Sequence, residues 1–300
     1  MNVPKISIVT PSFNQAEFLE STIQSVLSQN YPNLEYIIID GGSSDHSLAL
    51  IKKYEKYLHF WCSEPDGGQY DAIDKGFSHS TGEIMSWINS DDLYYPWTFK
   101  TVASIMSELP QVEWLTTLNL GEWDWHGFCS GFTSSPGYSK EAFLDGLYCP
   151  QNKNYSGFVI QQESTFWKRS LWEKSGGHLS TEFKLAGDFE LWSRFFYCAE
   201  LYNVKSPLGG FRRQINQRSR QIDLYAEESQ KILLKMSKNL DYHSNFLKFL
   251  AHHMMIHRLP KKTRSKILSI LSFCGYTANE VVRKNADSSE AYWDIEQYNF

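Results

Sequence analysis

The sequence lacks several features that would place a chain in a familiar class. Its five cysteines are scattered and include no C-x-x-C pair, so we expect reduced, mostly buried thiols. No uninterrupted run of about 18 apolar residues is present, which argues against a membrane-spanning helix. The net charge of −5 predicts no nucleic-acid partner. The amino terminus lacks a basic segment followed by an apolar one, so we expect no signal peptide and a cytoplasmic location.

Glycine is also missing from the turn after the first predicted strand. Ile6 to Thr10 is a short β-branched run, typical of a buried strand, and residues 11–15 follow it without a glycine. A G-x-G-x-x-G turn or a P-loop needs glycine there to bring the backbone close to phosphate. The negative charge of any bound nucleotide must therefore be met in another way.

What the chain does have is a regular alternation of strand and helix patterns. Strand patterns at 6–10, 34–39, 60–63 and 84–88 alternate with helical patterns at 18–27, 47–57 and 70–80. This order predicts an α/β fold, with a mostly parallel sheet and helices on both faces. From about Ile222 long helical patterns take over, so we expect one domain over residues 1–220 and a helical C-terminal extension over 221–300.

Two adjacent carboxylates follow the fourth predicted strand. Asp91 and Asp92 come soon after the apolar run 84–88, with no Lys or Arg in the next few residues. Ligands bind at strand ends in open α/β sheets, and a divalent cation bridging both acids to a diphosphate would relieve their repulsion. Oxygen ligands suit Mg²⁺ or Mn²⁺. The alternative is an Asx-rich turn that caps the helix starting near Pro96.

Two other segments place polar groups at predicted element ends. Asp40 closes the second strand, where an acid either accepts hydrogen bonds from a nucleotide base or ribose, or caps the turn at Gly41. Gly67 and Gly68, near Asp71, either supply positive φ in a turn or let a ligand approach the backbone.

Four motifs follow one another along the chain: Val9 to Asn14, Ile39 to Asp45, Asp66 to Ala72 and Asn89 to Asp92. In this order they resemble the motifs of the family-two glycosyltransferases with the GT-A fold. The resemblance extends over residues 5–215. It implies a GT-A-like, Rossmann-type, mostly parallel sheet and an inverting transferase. It also implies a nucleoside-diphosphate sugar as donor, with uridine the base most typical of the family, and Mn²⁺ or Mg²⁺ as the metal.

The resemblance also assigns the donor site residue by residue. Asp91 and Asp92 match the family's metal-binding D-x-D-type motif, with Asp92 as the direct ligand. The nucleotide-sugar pocket is assigned to Thr10, Pro11, Ser12, Asn14, Asp40, Asp66, Gly68, Asp71 and Asp91.

A second acidic segment supplies the base that the resemblance requires. Asp188 opens a predicted helix that resembles the family's acid-x-x-Leu-Trp-x-Arg segment, so the role of general base falls on Asp188. Glu190 is the nearest rival. The alternative is an acid that only interacts with the dipole of its helix.

The acceptor and diphosphate contacts are assigned more loosely. Gln162 and Glu163, in a predicted strand at 161–167, are acceptor contacts by the resemblance; alternatively, Glu163 pairs with Arg169 or Arg194. Gln214 stands where the family often has a histidine that helps to hold metal or diphosphate. Because an amide is a poor metal ligand, the diphosphate contacts fall to three arginines. These are Arg212, Arg213 and Arg218.

Two long segments stand outside these motifs. Residues 119–160 are predicted to be an irregular insertion that either shapes the acceptor site or packs as a flap. Residues 246–272 are basic and amphipathic, which is compatible with contact to the inner face of a membrane. Packing on the catalytic domain or on a second subunit, as in a homodimer, explains the same pattern.

Taken together, the sequence predicts an inverting glycosyltransferase that transfers a sugar to a hydroxyl in polysaccharide or glycolipid synthesis. The metal would act as a Lewis acid at the leaving diphosphate, while Asp188 would take the acceptor proton. The rivals are a metal-independent glycoside hydrolase, which also uses paired carboxylates, and a nucleotide-sugar-binding protein without turnover.

Overall fold

Strands and helices alternate along the first half of the chain in the computed structural model, as predicted. The structure describes residues 3–152, 155–215, 217, 220–243 and 275–300. The strands are β1 (Ile6–Ser12), β2 (Leu34–Asp40), β3 (Phe60–Ser63), β4 (Ile84–Trp87), β5 (Leu93–Tyr94), β6 (Trp114–Thr117), β7 (Asn119–Trp123), β8 (Cys129–Ser134), β9 (Phe166–Lys168), β10 (Leu201–Val204), β11 (Gly209–Arg212), β12 (Thr277–Lys284) and β13 (Tyr292–Asn299). The α-helices are α1 (Ala16–Leu27), α2 (Ser47–Tyr54), α3 (Gln69–Ser78), α4 (Thr98–Glu108), α5 (Lys140–Leu144), α6 (Arg169–Lys174), α7 (Gly187–Cys198) and α8 (Ile222–Asn239). Two 3-10 helices span Glu55–Tyr57 and Gln162–Ser164.

The main sheet contains nine strands in the order β13-β12-β10-β6-β9-β4-β1-β2-β3. Strands β4, β1, β2 and β3 are parallel, as the alternating pattern predicts. Strand β9 is inserted antiparallel between β4 and β6. Because β9 runs against β4, its first residues lie at the carboxyl end of β4, which is where ligands bind in open α/β sheets.

Both faces of the parallel strands are buried. Ile8 and Ile38 contribute to the core on one face, which α1 and α4 cover, whereas Val9 and Ile39 contribute to the core on the other face. Helices α3, α7 and α8 cover this second face. Burial on both faces explains why these strands are nearly continuous apolar runs without alternation. The mostly parallel α/β class predicted from the sequence is confirmed.

Tryptophan supplies much of the second core. Trp87, Trp114, Trp167 and Trp192 are each at most 1% exposed. The Trp87 and Trp167 rings make an edge contact at 5.5 Å, and Trp87 stacks on Trp192 at 6.0 Å. These four indoles are therefore structural, and the high aromatic content of the sequence is partly explained by packing.

The segment 119–160 is more regular than the sequence suggests. Strands β7 and β8 form an antiparallel hairpin, and β7 pairs in parallel with β11. Together with β5 these strands form a second sheet in the order β5-β11-β7-β8. The prediction of an irregular insertion is wrong for these strands and for α5, because Gly, Ser and aromatic residues here occupy a hairpin rather than an open loop.

The C-terminal segment is helical only in part. Helix α8 packs against α7, as expected of a helical extension. Residues 277–299, however, form the hairpin β12–β13, and β12 pairs in parallel with β10 of the main sheet. The sequence also suggests a solvated acidic tail over Asp287 to Glu296, but this expectation is wrong from Tyr292 onward, because residues 292–299 form β13 and pair with β12. The domain boundary at residue 220 stays a prediction.

Two other expectations concern the membrane and the cysteines. No described helix is long and apolar enough to cross a membrane. The basic segment 246–272 lies outside the described residues, so its membrane contact stays a prediction. The described cysteines, Cys62, Cys129, Cys149 and Cys198, form no disulfide. Of these four only Cys149 is buried, so the prediction of mostly buried thiols is wrong for the described residues.

Candidate active site

The carboxyl ends of β1 and β2 are held together by side chains of the turn after β2. Asp40 is fully buried and accepts hydrogen bonds from the Ser43 backbone amide at 2.8 Å and the Ser63 hydroxyl at 2.7 Å. Its other oxygen accepts from the Ser43 hydroxyl. The turn-capping role of Asp40 is therefore present in the structure, and its contact with a nucleotide stays a prediction.

The residues assigned to the nucleoside pocket after β1 differ in their surroundings. Thr10 is fully buried, and its hydroxyl lies 3.1 Å from the Tyr36 hydroxyl in the core. Pro11 and Ser12 are also buried, and the Ser12 hydroxyl has no hydrogen-bond partner. Asn14 is exposed, with a φ of 51°. In this segment the buried Ser12 hydroxyl is therefore a polar group that still lacks a hydrogen-bond partner.

The loop before α3 bends around its own acidic side chains. Asp66 accepts a hydrogen bond from the Gly68 amide, and Asp71 accepts one from the Gly67 amide, each at 2.8 Å. Gly68 has a φ of 109°, which other residues rarely adopt, so glycine is needed for the conformation. Burial and the nearby charges of Asp71 and Asp40 raise the pKa of Asp66. These three acids therefore lie close together at one edge of the sheet.

Asp91 and Asp92 follow β4 and are held from two sides. The Asp92 carboxylate accepts from the Arg212 backbone amide at 2.9 Å and from the Asn89 side chain at 3.2 Å. Asp91 accepts from the side chain of Gln214 at 2.5 Å. Asp92 is only 1% exposed, whereas Asp91 is partly exposed. The pair therefore belongs to a turn braced by β11 and the residues after it.

The guanidinium groups assigned to a diphosphate have other partners here. Arg212 is buried and donates to the backbone oxygens of Asp91 and Trp125 at 2.6 and 2.9 Å. Arg213 forms an ion pair with Glu122 on β7. Contact of either group with a diphosphate stays a prediction. It requires the guanidinium group to exchange its present hydrogen bonds or ion pair for bonds to phosphate oxygens. Arg218 lies outside the described residues.

The two aspartates form an electrostatically costly pair. Burial, opposed by hydrogen bonding from Gln214 and the charge of Arg212, raises the pKa of Asp91. Burial and the charges of Asp91 and Glu163 raise the pKa of Asp92 well above its ordinary value. Within the described ranges, no group of three or more His, Cys, Asp or Glu is arranged to hold an ion by itself. Two carboxylates, completed by phosphate oxygens and water, are a donor set that fits Mg²⁺ or Mn²⁺.

Glu163 lies in the 3-10 helix before β9, so the predicted strand over 161–167 is correct only from Phe166. The turn forms because Thr165 donates from its side chain to the Gln161 carbonyl at 2.8 Å. Glu163 is 3% exposed, and its Oε1 has no hydrogen-bond partner. Burial, together with the charges of Asp91 and Asp188, raises the pKa of Glu163 to about 8.

The partners that the sequence offered for Glu163 are used elsewhere. Arg194 binds Glu190 at 2.9 Å and two backbone carbonyls, and Arg169 binds the Gly82 carbonyl at 2.8 Å. Glu163 therefore does not pair with either arginine. Gln162, its neighbour, donates to the Trp87 carbonyl at 2.7 Å and has a buried, unpaired Oε1. Each of these two residues thus has one acceptor oxygen with an unmet hydrogen bond, and such oxygens fit a contact with hydroxyl groups.

Close packing between β11 and the 3-10 helix leads to a stability prediction. A Cβ on Gly209 would overlap the carbonyl oxygen of Glu163 and lie 2.8 Å from its carbonyl carbon. Gly209→Ala is therefore expected to lower the free energy of unfolding by about 1–3 kcal/mol, as overpacking usually does. Denaturant titration measures this change. In the control Gly67→Ala, the added Cβ meets only ordinary contacts at 3.4 Å; equal stability of both variants would contradict the prediction.

Asp188 is the second residue of α7. Its carboxylate accepts from the Phe189 amide at 2.8 Å and lies 3.4 and 3.5 Å from the Tyr225 hydroxyl. Burial, partly offset by these hydrogen bonds, raises the pKa of Asp188 to about 6. Glu190, the rival base, forms an ion pair with Arg194 instead. Asp188 is thus the acid of this helix that retains the character of a base near neutral pH.

Sequence reasoning missed the residues that support Asp188 from outside its helix. Tyr225 and Glu228 lie on α8, three positions apart and therefore on one face. Their face also carries the buried apolar residues Ile232 and Met236. A glutamate in an otherwise apolar stripe was a usable signal, because a buried acid needs hydrogen-bond donors.

The arrangement brings most of the predicted acids to one edge of the main sheet. Asp40 ends β2, the loop from Asp66 to Asp71 follows β3, and Asp91 follows β4. The charges of Asp91 and Asp188 both act on Glu163, so the aspartate pair and the candidate base are both near it. This edge can hold a cation, a phosphate-bearing ligand and a hydroxyl group together.

A comparison with protein families identifies one match. The profile of glycosyl transferase family 2 matches residues 7–117. The matched residues include Asp40, Asp91 and Asp92, whereas Glu163 and Asp188 lie beyond them.

The curated relatives share this amino-terminal region. An uncharacterized glycosyltransferase of Mycobacterium tuberculosis is 39% identical over 94 residues, which are 31% of this chain and 36% of that protein. The chain thus spans about a third of that relative. The putative teichuronic acid biosynthesis glycosyltransferase TuaG of Bacillus subtilis is 34% identical over 92 residues, 30% of this chain and 36% of TuaG. An uncharacterized glycosyltransferase of Rickettsia prowazekii is 26% identical over 84% of this chain and 74% of that protein.

Solved structures share the fold over nearly the whole chain. TarS of S. aureus, residues 1–349 in complex with UDP-GlcNAc, superimposes with a TM-score of 0.62 and 15% identity over 90% of this chain and 80% of TarS. The mannosyltransferase PcManGT of Pyrobaculum calidifontis, in complex with GDP-Man and Mn²⁺, gives a TM-score of 0.55 and 15% identity over 92% of this chain and 77% of that one. At this level of identity the likeness shows the fold alone.

Proposed function

We propose that the chain is an inverting glycosyltransferase, because the profile of glycosyl transferase family 2 matches residues 7–117 and the solved structures of TarS and a mannosyltransferase share its fold. It transfers a sugar from a nucleoside-diphosphate donor to a hydroxyl of a growing polysaccharide or a glycolipid. The observation that carries the proposal is the pair Asp91 and Asp92 at the carboxyl edge of the sheet, together with Asp188, whose charge acts on Glu163 as that of Asp91 does. A metal-binding pair and a separate base are the two parts that such a transfer requires.

Asp91 and Asp92 would hold a divalent cation, Mn²⁺ or Mg²⁺. When bound, the cation supplies Lewis-acid stabilisation of negative charge on the leaving nucleoside diphosphate. The chain's own part is to hold both carboxylates still, through the Arg212 amide on Asp92 and the Gln214 side chain on Asp91. The raised pKa of Asp92 supports this role, since an incoming cation would relieve the repulsion that raises it.

Asp188 would accept the proton of the attacking hydroxyl while that oxygen bonds to the anomeric carbon. One displacement from the face opposite the diphosphate inverts the anomeric configuration, so no covalent enzyme nucleophile is needed. Gln162 and Glu163 would bind sugar or acceptor hydroxyls through their unpaired oxygens. Most of the acceleration would come from orientation and fixed charges around the reacting groups.

We propose a UDP-linked hexose as the donor. TarS was solved with UDP-GlcNAc and PcManGT with GDP-Man, so the fold accommodates either base, and uridine is the base that the family resemblance favours. The resemblance to TuaG, a putative teichuronic acid enzyme, supports a polysaccharide acceptor. A cytoplasmic location, contact of residues 246–272 with a membrane, and a homodimer are retained as parts of the proposal.

A nucleotide panel tests the donor site. We expect one of UDP, GDP, ADP and CDP to raise the melting temperature by a few degrees in Mn²⁺ and to have no effect in EDTA. A ligand at 100 times its Kd adds about 2.7 kcal/mol to the free energy of unfolding. The matching nucleotide-sugar should then yield a product of inverted anomeric configuration by NMR. The absence of any shift, or a retained configuration, would refute the proposal.

A further inference from the structure

Three consecutive backbone amides ahead of α7 are bound by one carboxylate. Glu228 of α8 accepts hydrogen bonds from the amides of Lys184, Leu185 and Ala186, each at 2.9 Å. Glu228 is 7% exposed, so these bonds are largely shielded from water. Burial alone would raise the pKa of Glu228, but the three amides outweigh it and hold the pKa below its ordinary value. The carboxylate therefore fixes the backbone turn that enters α7.

A second contact from the same helix reaches the side chain of Asp188. Tyr225 lies one helical turn before Glu228, and its hydroxyl is 3.4 and 3.5 Å from the two carboxylate oxygens of Asp188. Its ring also meets Phe189 edge-on at 6.4 Å. The hydroxyl of Tyr225 and the carboxylate of Asp188 are both partly buried, which reduces competition from water for a hydrogen bond between them.

The opposite side of the turn is held from α3. The Tyr70 hydroxyl accepts from the Gly187 amide at 2.9 Å and donates to the Leu185 carbonyl. A Cβ on Gly187 would lie 2.6 Å from the Tyr70 ring, so the two elements are in close contact. Tyr70 belongs to the loop and helix start assigned to the donor sugar. The turn carrying Asp188 is thus bound between that region and α8.

We propose that Glu228 and Tyr225 are positioning residues for Asp188, with Glu228 fixing the backbone that carries the base and Tyr225 orienting its carboxylate. The inference rests on the proposed function, since it concerns the base of that reaction. Its physical basis is that a displacement of about 1 Å in a reacting group can lower a rate by roughly 10²-fold. Helix α8 lies beyond residues 7–117, so the family match does not assign this role.

The ionisation of Asp188 reflects every element around it. Tyr225 and Glu228 face it from α8, Tyr70 lies across the turn on α3, and Glu163 faces it from the 3-10 helix. Tyr225 lowers the pKa of Asp188, whereas the charge of Glu228 raises it. Tyr225→Phe should therefore raise this pKa and move the acid limb of kcat to higher pH, because the base must be ionised to work.

The test compares three variants of the full chain. Glu228→Gln keeps the size of the side chain but loses a charged acceptor, and we expect kcat to fall about 10- to 100-fold with unchanged nucleotide affinity. Tyr225→Phe should shift the acid limb of the kcat profile upward. Glu227→Gln is the matched control: Glu227 is adjacent, exposed and paired with Lys231, so its kcat should match the wild type.

Hydrogen exchange provides a readout that does not need turnover. The amides of residues 184–186 should exchange faster in Glu228→Gln than in the wild type or in Glu227→Gln, while residues 84–92 are unchanged. Faster exchange with wild-type kcat and pH profile in both variants would overturn the positioning role and leave the proposed function intact. Unchanged exchange would mean that Glu228 does not fix the backbone of residues 184–186, and it would overturn the positioning role of Glu228. A wild type that releases no nucleoside diphosphate from any donor would overturn the proposed function, and the positioning role with it.

Discussion

Asp188→Asn is expected to lower kcat for sugar transfer by about 10²- to 10⁴-fold, which is the usual contribution of a general base. Asparagine has nearly the same shape but cannot accept the proton of the acceptor hydroxyl. Nucleotide binding should be unchanged, since Asp188 is assigned to the proton of the acceptor and not to the nucleotide or the metal. Release of nucleoside diphosphate and thermal shifts with nucleotide measure the two properties separately.

The pH dependence of the wild type gives an independent check on Asp188. Burial raises its pKa to about 6, and the carboxylate form is the active one. Activity should therefore fall as the pH drops through about 6, and this limb should be missing from the residual activity of Asp188→Asn. Glu190→Gln serves as control because Glu190 is held in an ion pair with Arg194. A greater loss of kcat in Glu190→Gln than in Asp188→Asn would reverse the assignment.

Asp92→Asn is expected to abolish the metal-dependent part of nucleotide binding, weakening it by at least about 10²-fold. This magnitude follows from the roughly 10- to 100-fold loss of metal affinity that is typical when a residue hydrogen-bonded to a metal ligand is removed; loss of a ligand itself should cost at least as much. The variant should still fold. Burial and the charges of Asp91 and Glu163 raise the pKa of Asp92, so replacing its carboxylate with a neutral amide relieves repulsion in the metal-free protein. Titration with nucleotide in Mn²⁺ and in EDTA measures the effect.

Two companion variants sharpen the result. Asp91→Asn tests whether the partly exposed neighbour is the stronger ligand, since the resemblance favours Asp92 as the direct one. Asp287→Asn is the remote control, an exposed acid in the turn between β12 and β13. If Asp92→Asn and Asp287→Asn bind nucleotide with the same response to Mn²⁺, then Asp92 does not hold the metal.

Much of the donor side could be predicted because its signals are local. Asp40 ends one short apolar strand and Asp91 comes soon after another, and in parallel strands such ends necessarily meet at one edge of the sheet. The family motifs added roles to positions that the strand pattern had already located. The α/β class and the glycosyltransferase resemblance were confirmed for the same reason.

What the sequence did not reveal are contacts between distant segments. The Arg212 amide reaches Asp92 across 120 positions, and Glu228 reaches Ala186 across 42. No periodic pattern encodes such pairings, because they depend on how completed helices and strands pack. Arg212 illustrates the difficulty. The sequence predicts a cation that is available to a diphosphate, whereas in the fold Arg212 is buried and donates to the backbone oxygens of Asp91 and Trp125.

The prediction for the C-terminal hairpin was wrong for a related reason. The charged residues after Ala286 suggested a solvated tail, but the exposed face of an edge strand is also charged. Only the pairing of β12 with β10, between residues 202–204 and 279–281, distinguishes the two structures. Edge strands commonly carry such charges, which limit aggregation.

The place of that hairpin in the chain has a consequence during synthesis. On the ribosome, β10 is made more than seventy residues before β12, its neighbour in the sheet. Until β12 emerges, one side of β10 presents unpaired amides and carbonyls, which form a template for pairing with another nascent chain. This edge of β10 is therefore open during the interval between translation of Leu201 and of Lys284. Chaperones that cover exposed strand edges would act in that interval.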